Sequence, residues 1–474
     1  MVESAEQTSI YQARVPIYPR SVKGRFRRLK WGILAFAYTV YFLLPWLRWS
    51  RPTGPDQAVL FDIAHRRFYL FNLIVHPQDI FWLAGFLFIA AMLLFFVTGI
   101  AGRVFCGYFC FQTLWTDIYI LIERLVQGER PARIRLDSAP WSAAKFTKKG
   151  LTHALWLMVA FVTGLTFTLY WGDAPVLLRR FFTGAAPFPA YATTLFLTAT
   201  TYVMAGLARE QVCTYMCPYA RFQSAMFDQD TLIVAYDRRR GEGGKGRAKL
   251  ARDLKTREQR EARGIGDCID CGYCVQVCPT GIDIRHGLQI QCISCALCID
   301  ACDTIMDSVG WPRGLIRYDS ERAQAGGATR FLKFKTVGYG VIILAAIGLL
   351  TWSVLSKSPM DMNVRQVRQP LYVTLSDGRI QNSYDVRINN KTERKVHLKL
   401  AVRGLPGARL ELGLEHVREL ELAPEDSLLV RVRVRVPRDT RGSQIPFEFV
   451  VTAPGQRDLP EVREHAYFSM PRGS

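Results

Sequence analysis

The stretch from Cys268 to Asp303 contains two cysteine runs with the same spacing. The first reads CIDCGYCVQVCP from Cys268, and the second reads CISCALCIDACD from Cys292. Each run has the form C-x2-C-x2-C-x3-C, and the second repeats the first with an offset of 24 residues. Eight thiols at such short intervals predict a metal-binding segment.

This spacing is that of bacterial ferredoxins with two [4Fe–4S] clusters, in which the fourth Cys of each run ligates the cluster of the other run. The first cluster is therefore assigned Cys268, Cys271, Cys274 and Cys302. The second cluster is assigned Cys292, Cys295, Cys298 and Cys278. Structural zinc is the alternative, but zinc sites usually place two ligand pairs well apart. The segment is predicted to pass single electrons.

The apolar residues, 49% of the 474-residue chain, are clustered in a way that predicts membrane spans. Each predicted span is about long enough to cross ~30 Å of hydrocarbon. The five spans are Trp31–Leu47, Ile80–Ile100, Leu151–Tyr170, Tyr191–Leu207 and Phe334–Leu355. The formal net charge of +20 fits the basic cytoplasmic loops of an inner-membrane protein. With no nucleic-acid-binding motif in the chain, we expect no nucleic-acid partner.

The distribution of Lys and Arg predicts the orientation of the spans. Seven basic residues precede the first span and eight lie in the loop 101–150, whereas the loop 171–190 has two. The positive-inside rule then places the N-terminus and the segment after the fourth span in the cytoplasm. Cluster-ligating thiols also need a reducing compartment. We expect a bacterial inner-membrane protein with a cytoplasmic ferredoxin segment.

The C-terminal part has the texture of a β-sandwich. Leu428–Val436 alternates apolar residues with Arg, and Val396–Val402 and Phe447–Thr452 are similar. Short strands separated by Gly, Pro, Asn and Asp turns predict an immunoglobulin-like fold, which would be periplasmic.

The predicted architecture is a multi-domain membrane protein with about five transmembrane α-helices, a cytoplasmic ferredoxin-like insert with two [4Fe–4S] clusters and an immunoglobulin-like β-sandwich. Its predicted segments are a cytoplasmic tail (1–30), a four-helix membrane region (31–235), the ferredoxin-like domain (236–330), a fifth membrane helix (331–357) and the periplasmic sandwich (358–474). The basic stretch Tyr236–Arg263 is interpreted as a solvated linker followed by a charged helix near anionic lipid.

The remaining four of the 12 cysteines form two C-x3-C pairs. Cys106 and Cys110 follow the second span, and Cys213 and Cys217 follow the fourth. The i, i+4 spacing predicts that both thiols of a pair share one helix face. Two such helices side by side would gather four thiols at the cytoplasmic membrane face, and thiolates favour Cu(I), zinc or iron–sulfur clusters. A buried, purely structural role is the alternative.

The order of these parts resembles the cytochrome c oxidase accessory protein family CcoG, also called FixG or RdxA. The resemblance rests on both ferredoxin runs, the trailing β-domain and three further segments. Those segments are FCGYFC-x-QT (Phe105–Thr113), VCTYMCPYARFQ (Val212–Gln223) and YDRRRGE (Tyr236–Glu242). One departure is Asp303, which stands where Pro commonly follows the fourth Cys; it removes no ligand.

The resemblance implies an inner-membrane polyferredoxin that reduces Cu(II) to Cu(I) for assembly of cbb3-type oxidase. Its implied partners are a copper chaperone or transporter and oxidase assembly factors; the cytoplasmic electron donor is unidentified. On this hypothesis Cys106, Cys110, Cys213 and Cys217 are the copper and redox thiols. Two alternatives stay open. One is a general polyferredoxin linking a quinone or flavoprotein to another partner, with these thiols holding a further cluster or forming a disulfide. The other is a non-enzymatic assembly scaffold.

Overall fold

The computed structural model describes residues 16–51, 54–76, 79–356, 358–392, 394–412, 420–424, 426–437, 440, 442–456 and 459–471. These residues form two compact units. One unit takes in the described residues up to Trp49 together with Gln57–Leu350. The other takes in Ser50–Asp56 together with the described residues from Thr351 onward.

The first unit begins with a helical region that contains one small antiparallel sheet. Its sheet has the strands β1 (Val59–Asp62), β2 (Arg67–Leu70) and β3 (Leu73–Val75). Its α-helices are α1 (Arg25–Leu43), α2 (Ile80–Ala101), α3 (Val104–Tyr108), α4 (Phe111–Gln127), α5 (Arg130–Ser138), α6 (Ala143–Leu169), α7 (Ala174–Phe182), α8 (Phe188–Thr201) and α9 (Pro218–Ala225).

Five helical segments in the described part of the chain are long and apolar enough to cross a membrane, which confirms the predicted number. They are Arg25–Trp46, Ile80–Ala101, Val104–Gln127, Ala143–Leu169 and Phe334–Leu355. In α2 the apolar side chains of Phe86 and Leu87 lie on the surface, as do those of Leu344 and Trp352 in the last segment. Apolar side chains exposed in such number fit a lipid environment.

The segment Tyr191–Leu207, predicted as the fourth span, is not among the five. Its chain forms α8 and then a π-helical stretch, Tyr202–Ala208. Threonines of α8 turn inward, and a Cβ atom on Gly164 of α6 would lie 2.6 Å from the Thr194 carbonyl oxygen. Close backbone approach between small residues is typical of helix pairs in membranes. The threonines that permit this packing also lower the hydropathy of the segment.

The segment Val104–Gln127, predicted as part of a loop, takes its place among the five. Its polar residues make the segment resemble a loop in the sequence, but Gln112, Thr113 and Asp117 lie on one face and are buried against neighbouring helices. The Asp117 carboxylate lies 3.0 Å from the Lys30 ammonium and 3.3 Å from the Arg27 guanidinium of α1. Charges inside a helical bundle are tolerated when they pair in this way.

The cysteine runs lie between the strands β4 (Ile233–Tyr236) and β5 (Ile316–Asp319), which pair antiparallel. The helices of this part are α10 (Arg238–Glu242), α11 (Arg257–Ala262), α12 (Tyr273–Gln276), α13 (Leu297–Ser308) and α14 (Glu321–Gln324), and α15 (Phe334–Leu355) follows them. Helix α13 holds the start of the first membrane helix, because the Asp300 carboxylate accepts hydrogen bonds from the backbone N–H groups of Phe26 (3.2 Å) and Arg27 (2.7 Å).

The second unit contains two antiparallel sheets, as the alternating pattern predicts. Its strands are β6 (Met360–Gln366), β7 (Val373–Thr374), β8 (Ile380–Asn390), β9 (Val396–Arg403), β10 (Arg409–Leu412), β11 (Leu420–Leu422), β12 (Ser427–Val436), β13 (Gln444–Thr452) and β14 (Val462–Ser469). One sheet has the order β10-β12-β8-β6 with β7 beside β8, and the other has the order β11-β9-β13-β14. Tyr384, Leu398, Val432 and Phe449 are fully buried in the shared core.

Candidate functional site

The two cysteine runs fold into loops of the same shape. Asp270 and Gly272 flank the second Cys of the first run and have φ angles of 49° and 66°. Ser294 and Ala296 flank the second Cys of the second run and have φ angles of 52° and 59°. Left-handed residues that alternate with other conformations turn backbone N–H groups inward, a concavity found at iron–sulfur sites. Three of these four residues are not glycine, so the surroundings must hold the loops in shape.

Each predicted set of four ligands lines one cavity. Cys268, Cys271, Cys274 and Cys302 line the first, with Tyr236 and Arg285 at its wall. Cys278, Cys292, Cys295 and Cys298 line the second, which Cys274 also borders. The fourth Cys of each run therefore lies with the first three of the other run, in the crossed arrangement that the spacing predicts.

The chemistry of these cavities fits a bound iron–sulfur group. Burial raises the pKa of the Cys274 and Cys292 thiols to about 12. The pKa values of Cys298 and Cys302 are raised as well, again mainly by burial. Buried thiolates are costly without a compensating cation. The same thiolates would be stabilised by iron, so the eight cysteines are suited to hold two clusters.

The arrangement of the thiols in space also distinguishes a site for a cluster from a site for a single metal ion. Throughout the described ranges, no three His, Cys, Asp or Glu side chains lie close enough together to hold one metal ion. Four thiols around a cavity without convergence on a point are suited to a group with several iron atoms. This geometry disfavours the structural zinc alternative, since zinc needs ligands at about 2.3 Å from one centre.

The C-x3-C pairs do not lie on single helix faces, so that part of the prediction was wrong. Cys106 belongs to the short helix α3, but Cys110 has extended backbone angles (φ −64°, ψ 128°) and is the N-cap residue of α4. Cys213 lies in a π-helical turn, Val212–Met216, and Cys217 (φ −81°, ψ 110°) is the N-cap residue of α9. Each pair therefore spans a break between two helices.

The same backbone device precedes both pairs. A residue with positive φ ends the preceding helical segment: Gly102 at 57° and Arg209 at 43°. In both cases the first Cys follows four residues later and the second Cys eight residues later. The equal spacing of the thiols in the two pairs thus reflects a repeated helix–break–helix element. Each second Cys is oriented by the break between the two helices and not by a shared helix face.

The structure brings the four thiols of the two pairs into one neighbourhood. Cys213 is close enough to Cys106, Cys110 and Cys217 to interact with each of them electrostatically, and Cys106 interacts with Cys110 and Cys217 in the same way. All four are free thiols. We call this group the four-thiol site. Since no three of its thiols converge on a point, binding of one ion by three or four of them would require side-chain rotation.

The four-thiol site lies directly against the loop of the second cysteine run. Cys106 packs in one apolar cluster with Ile293 and Cys295. A Cβ atom on Gly107 would lie 2.7 Å from the Ile293 carbonyl oxygen and 2.9 Å from the Cys295 Cα atom. The Tyr108 hydroxyl donates to the Cys295 carbonyl oxygen at 3.2 Å. The backbone next to Cys106 therefore touches the backbone that carries the Cys295 thiol.

Two polar residues that the sequence did not point to complete the four-thiol site. Gln223 of α9 is fully buried, and its Oε1 accepts from Arg103 Nε at 3.1 Å and from Cys106 Sγ at 3.3 Å. Arg103 is also buried and donates through Nη1 to the Ile290 carbonyl oxygen. An Arg and a Gln in a long chain give no signal by themselves; the available clue was their position, Arg103 just before the first C-x3-C segment and Gln223 at the end of the second.

The basic stretch after β4 is more than a solvated linker, which corrects that interpretation for one of its residues. Arg260 of α11 is fully buried. Its guanidinium donates to the carbonyl oxygens of Gly266 (2.9 Å), Cys268 (2.9 Å) and Ala248 (3.0 Å). Helix α11 therefore packs against the start of the first cysteine run and holds its backbone in place.

Comparison with protein families finds a match for the part with the two cysteine runs and a match for the C-terminal β-sandwich. Residues 208–321 match the 4Fe–4S dicluster domain. Residues 350–471 match the IG-like fold at the C-terminus of FixG. The cysteine runs and the β-sandwich are thus both known modules.

Similar proteins extend the match over most of the chain. Protein RdxB of Cereibacter sphaeroides is 46% identical over 81% of this chain and 81% of its own length. Protein RdxA of the same organism is 43% identical over 90% of this chain and 91% of its own. The chain belongs to the FixG/RdxA family. The nitrogen fixation protein FixG of Rhizobium meliloti, a further FixG/RdxA relative, is 41% identical over 85% of this chain and 82% of its own.

Membership of the FixG/RdxA family, the dicluster match and the five apolar helices agree with one another. The protein is an iron–sulfur membrane protein with the character of an electron-transfer oxidoreductase. Its trailing module is the immunoglobulin-like domain of this family.

Proposed function

We propose that this protein reduces Cu(II) to Cu(I) at the four-thiol site, in support of cbb3-type oxidase assembly. When bound, the two iron–sulfur clusters supply one-electron transfer. Each copper ion takes up one electron, which a cytoplasmic one-electron donor provides. Cu(I) is the softer ion and suits thiolate ligands, so reduction prepares it for transfer to a thiol-containing carrier.

The observation that carries this proposal is the contact between Gly107 and Cys295. It puts the four-thiol site beside the cavity of Cys278, Cys292, Cys295 and Cys298, and Cys106 packs in one apolar cluster with Cys295. The other cavity shares Cys274 as a bordering residue with this one. The three thiol groups therefore follow one another, and the four-thiol site is at the end of the series.

The residues around the four thiols have definable tasks in this proposal. Tyr108 and Gly107 fix the distance between the two thiol groups through backbone contacts to Cys295. Thr113 donates to the Cys106 carbonyl oxygen at 2.6 Å and so holds the turn that ends at Cys110. Apolar packing around Cys106 excludes water from the side that faces the ferredoxin-like fold.

The test is to replace Cys106, Cys110, Cys213 and Cys217 together by Ser and to measure Cu(II) reduction in protein that retains both clusters. We expect copper reduction and copper binding to be lost while about eight irons per chain remain. Undiminished reduction by this variant would exclude the four-thiol site as the place of reaction.

A matched control separates electron supply from copper binding. The Cys278→Ser variant removes a predicted cluster ligand but leaves all four proposed copper thiols in place. We expect it to bind copper with unchanged stoichiometry and to reduce it more slowly. Loss of copper binding in this variant would show that copper depends on the ferredoxin cysteines instead.

The cellular setting belongs to the same proposal. We place the protein in the bacterial inner membrane, with its N-terminus and ferredoxin-like part in the cytoplasm and the β-sandwich in the periplasm. The support is the seven Lys and Arg residues among the first thirty and the reducing compartment that cluster-ligating thiols need. A copper chaperone or transporter and oxidase assembly factors are the proposed partners. Cysteine labelling from each side of the membrane tests the orientation.

A second candidate for the four-thiol site is a further iron–sulfur cluster, and the thiol spacing favours it. In the part of the chain that the structure describes, the four-thiol site resembles both ferredoxin cavities in one respect. In none of them do three ligands lie close enough together to hold a single metal ion. Metal analysis of anaerobically purified protein separates the candidates. About eight irons with bound copper supports cupric reduction, whereas additional iron without copper supports an additional cluster.

A further inference from the structure

Arg103 is a buried cation between the two groups of thiols. Its side chain is 3% exposed. Its Nη1 donates to the Ile290 carbonyl oxygen, two residues before Cys292, and its Nε donates to Gln223 Oε1 at 3.1 Å. Its charge acts on Cys106 and Cys213 of the four-thiol site and on Cys292 of the ferredoxin-like fold. The guanidinium therefore lies at the junction of both sites.

The acceptors of this guanidinium are neutral. Among the ion pairs of the described residues, none joins Arg103 to a carboxylate. The Arg209 side chain, near the other C-x3-C pair, is different, because it pairs with the Glu123 carboxylate. A buried charge without an opposite charge is strongly destabilising. Thiolates on either side of Arg103 can balance its charge, and the thiol joined to the guanidinium through Gln223 is that of Cys106 in the four-thiol site.

We propose that Arg103 is the counter-ion of an anionic copper–thiolate centre at the four-thiol site, and that Gln223 positions it there. Each coordinating thiolate brings one negative charge, so Cu(I) held by two or more of them carries a net negative charge. Reduction of Cu(II) to Cu(I) adds one further electron and makes the centre more negative. Arg103 therefore stabilises the reduced centre more than the oxidised one. This inference rests on the proposed function and assigns a positioning residue to it.

Gln223 gives the experiment its precision. Glu has nearly the same shape, so Gln223→Glu supplies the missing carboxylate while the contacts of Arg103 to residue 223 and to Ile290 remain. The carboxylate neutralises the guanidinium and removes its effect on the thiols. Arg103→Met removes the charge directly, and Arg103→Lys keeps the charge but loses the planar fork of donors.

The measurement is Cu(I) affinity of the detergent-purified full chain, by competition with a chromogenic Cu(I) chelator. We expect Arg103→Met and Gln223→Glu each to weaken binding at least tenfold, equivalent to about 1.4 kcal/mol. Arg103→Lys should retain most of the affinity. The rate of Cu(II) reduction should fall in the same order.

Other outcomes would overturn the inference in distinguishable ways. If Arg103 only anchors the Ile290 loop, Gln223→Glu will bind like the wild type and Arg103→Lys will fail like Arg103→Met. That result rejects the counter-ion role and leaves the proposed function intact. If the wild type shows no Cu(I) binding that depends on the four thiols, both the proposed function and the inference are rejected.

Discussion

Gly107 and Cys295, 188 positions apart in the chain, are in backbone contact: a Cβ atom on Gly107 would lie 2.9 Å from the Cα atom of Cys295 and 3.0 Å from its nitrogen. The first residue follows a membrane-edge thiol, and the second is a predicted cluster ligand. Because both neighbours are backbone atoms, they cannot move aside as a flexible side chain could. The contact fixes how closely the ferredoxin-like fold approaches the membrane helices.

Replacing Gly107 by Ala should force the two backbones apart. We expect a loss of about 1–3 kcal/mol in the free energy of unfolding, as for overpacked interiors, together with slower Cu(II) reduction. The free energy of unfolding is measured by denaturation, with iron release as the signal. The control is Gly32→Ala in α1, where a Cβ atom meets nothing within 4 Å. Equal behaviour of the two variants would contradict a tight contact at Gly107.

Crossed ligation predicts which cluster each fourth Cys serves. Cys302→Ser should give the same EPR spectrum as Cys268→Ser, because Cys302 and Cys268 both line the first cavity. Cys278→Ser should match Cys292→Ser, since both belong to the second. Each variant should retain about four irons. A Cys302→Ser spectrum that matches Cys292→Ser would show that each run serves its own cluster.

The Asp300 carboxylate caps the first membrane helix from the ferredoxin-like fold. Asp300→Ala leaves the N–H groups of Phe26 and Arg27 without this acceptor and should cost about 0.5–2 kcal/mol, the usual value of a lost N-cap. Faster amide hydrogen exchange at these two residues reports the loss. Asp307→Ala on the same helix removes only an exposed pair with Arg313 and should leave the stability nearly unchanged.

The buried Arg260 should be needed for the first cysteine run. Arg260→Met leaves three carbonyl oxygens without a donor, each worth about 1–3 kcal/mol if it stays unsatisfied. We expect loss of iron from the cluster of Cys268, measured as iron per chain. Arg263→Met serves as the comparison, because that side chain is half-exposed and pairs with Asp253 at the surface. A fully loaded Arg260→Met protein would refute this role.

Some features of the protein follow from its sequence because they are local. Three thiols of each cluster come from one short loop, so the intervals in C-x2-C-x2-C already state the ligand set. The apolar length of α2 and α15 and the alternation in β12 are equally local, and the structure confirms them. Even the pairing of the fourth Cys with the other run could be read from two adjacent repeats.

The arrangement of the four-thiol site was decided by tertiary structure. The i, i+4 spacing suggested a helix face. Instead, a break between two helices at Cys110 and at Cys217 orients the thiols, and such breaks depend on the packing around them. Gly107, Gln223 and Arg103 become meaningful only when the second cysteine loop lies against them. A contact between segments nearly two hundred residues apart is set by the shapes of the packed surfaces, which no local pattern in either segment records.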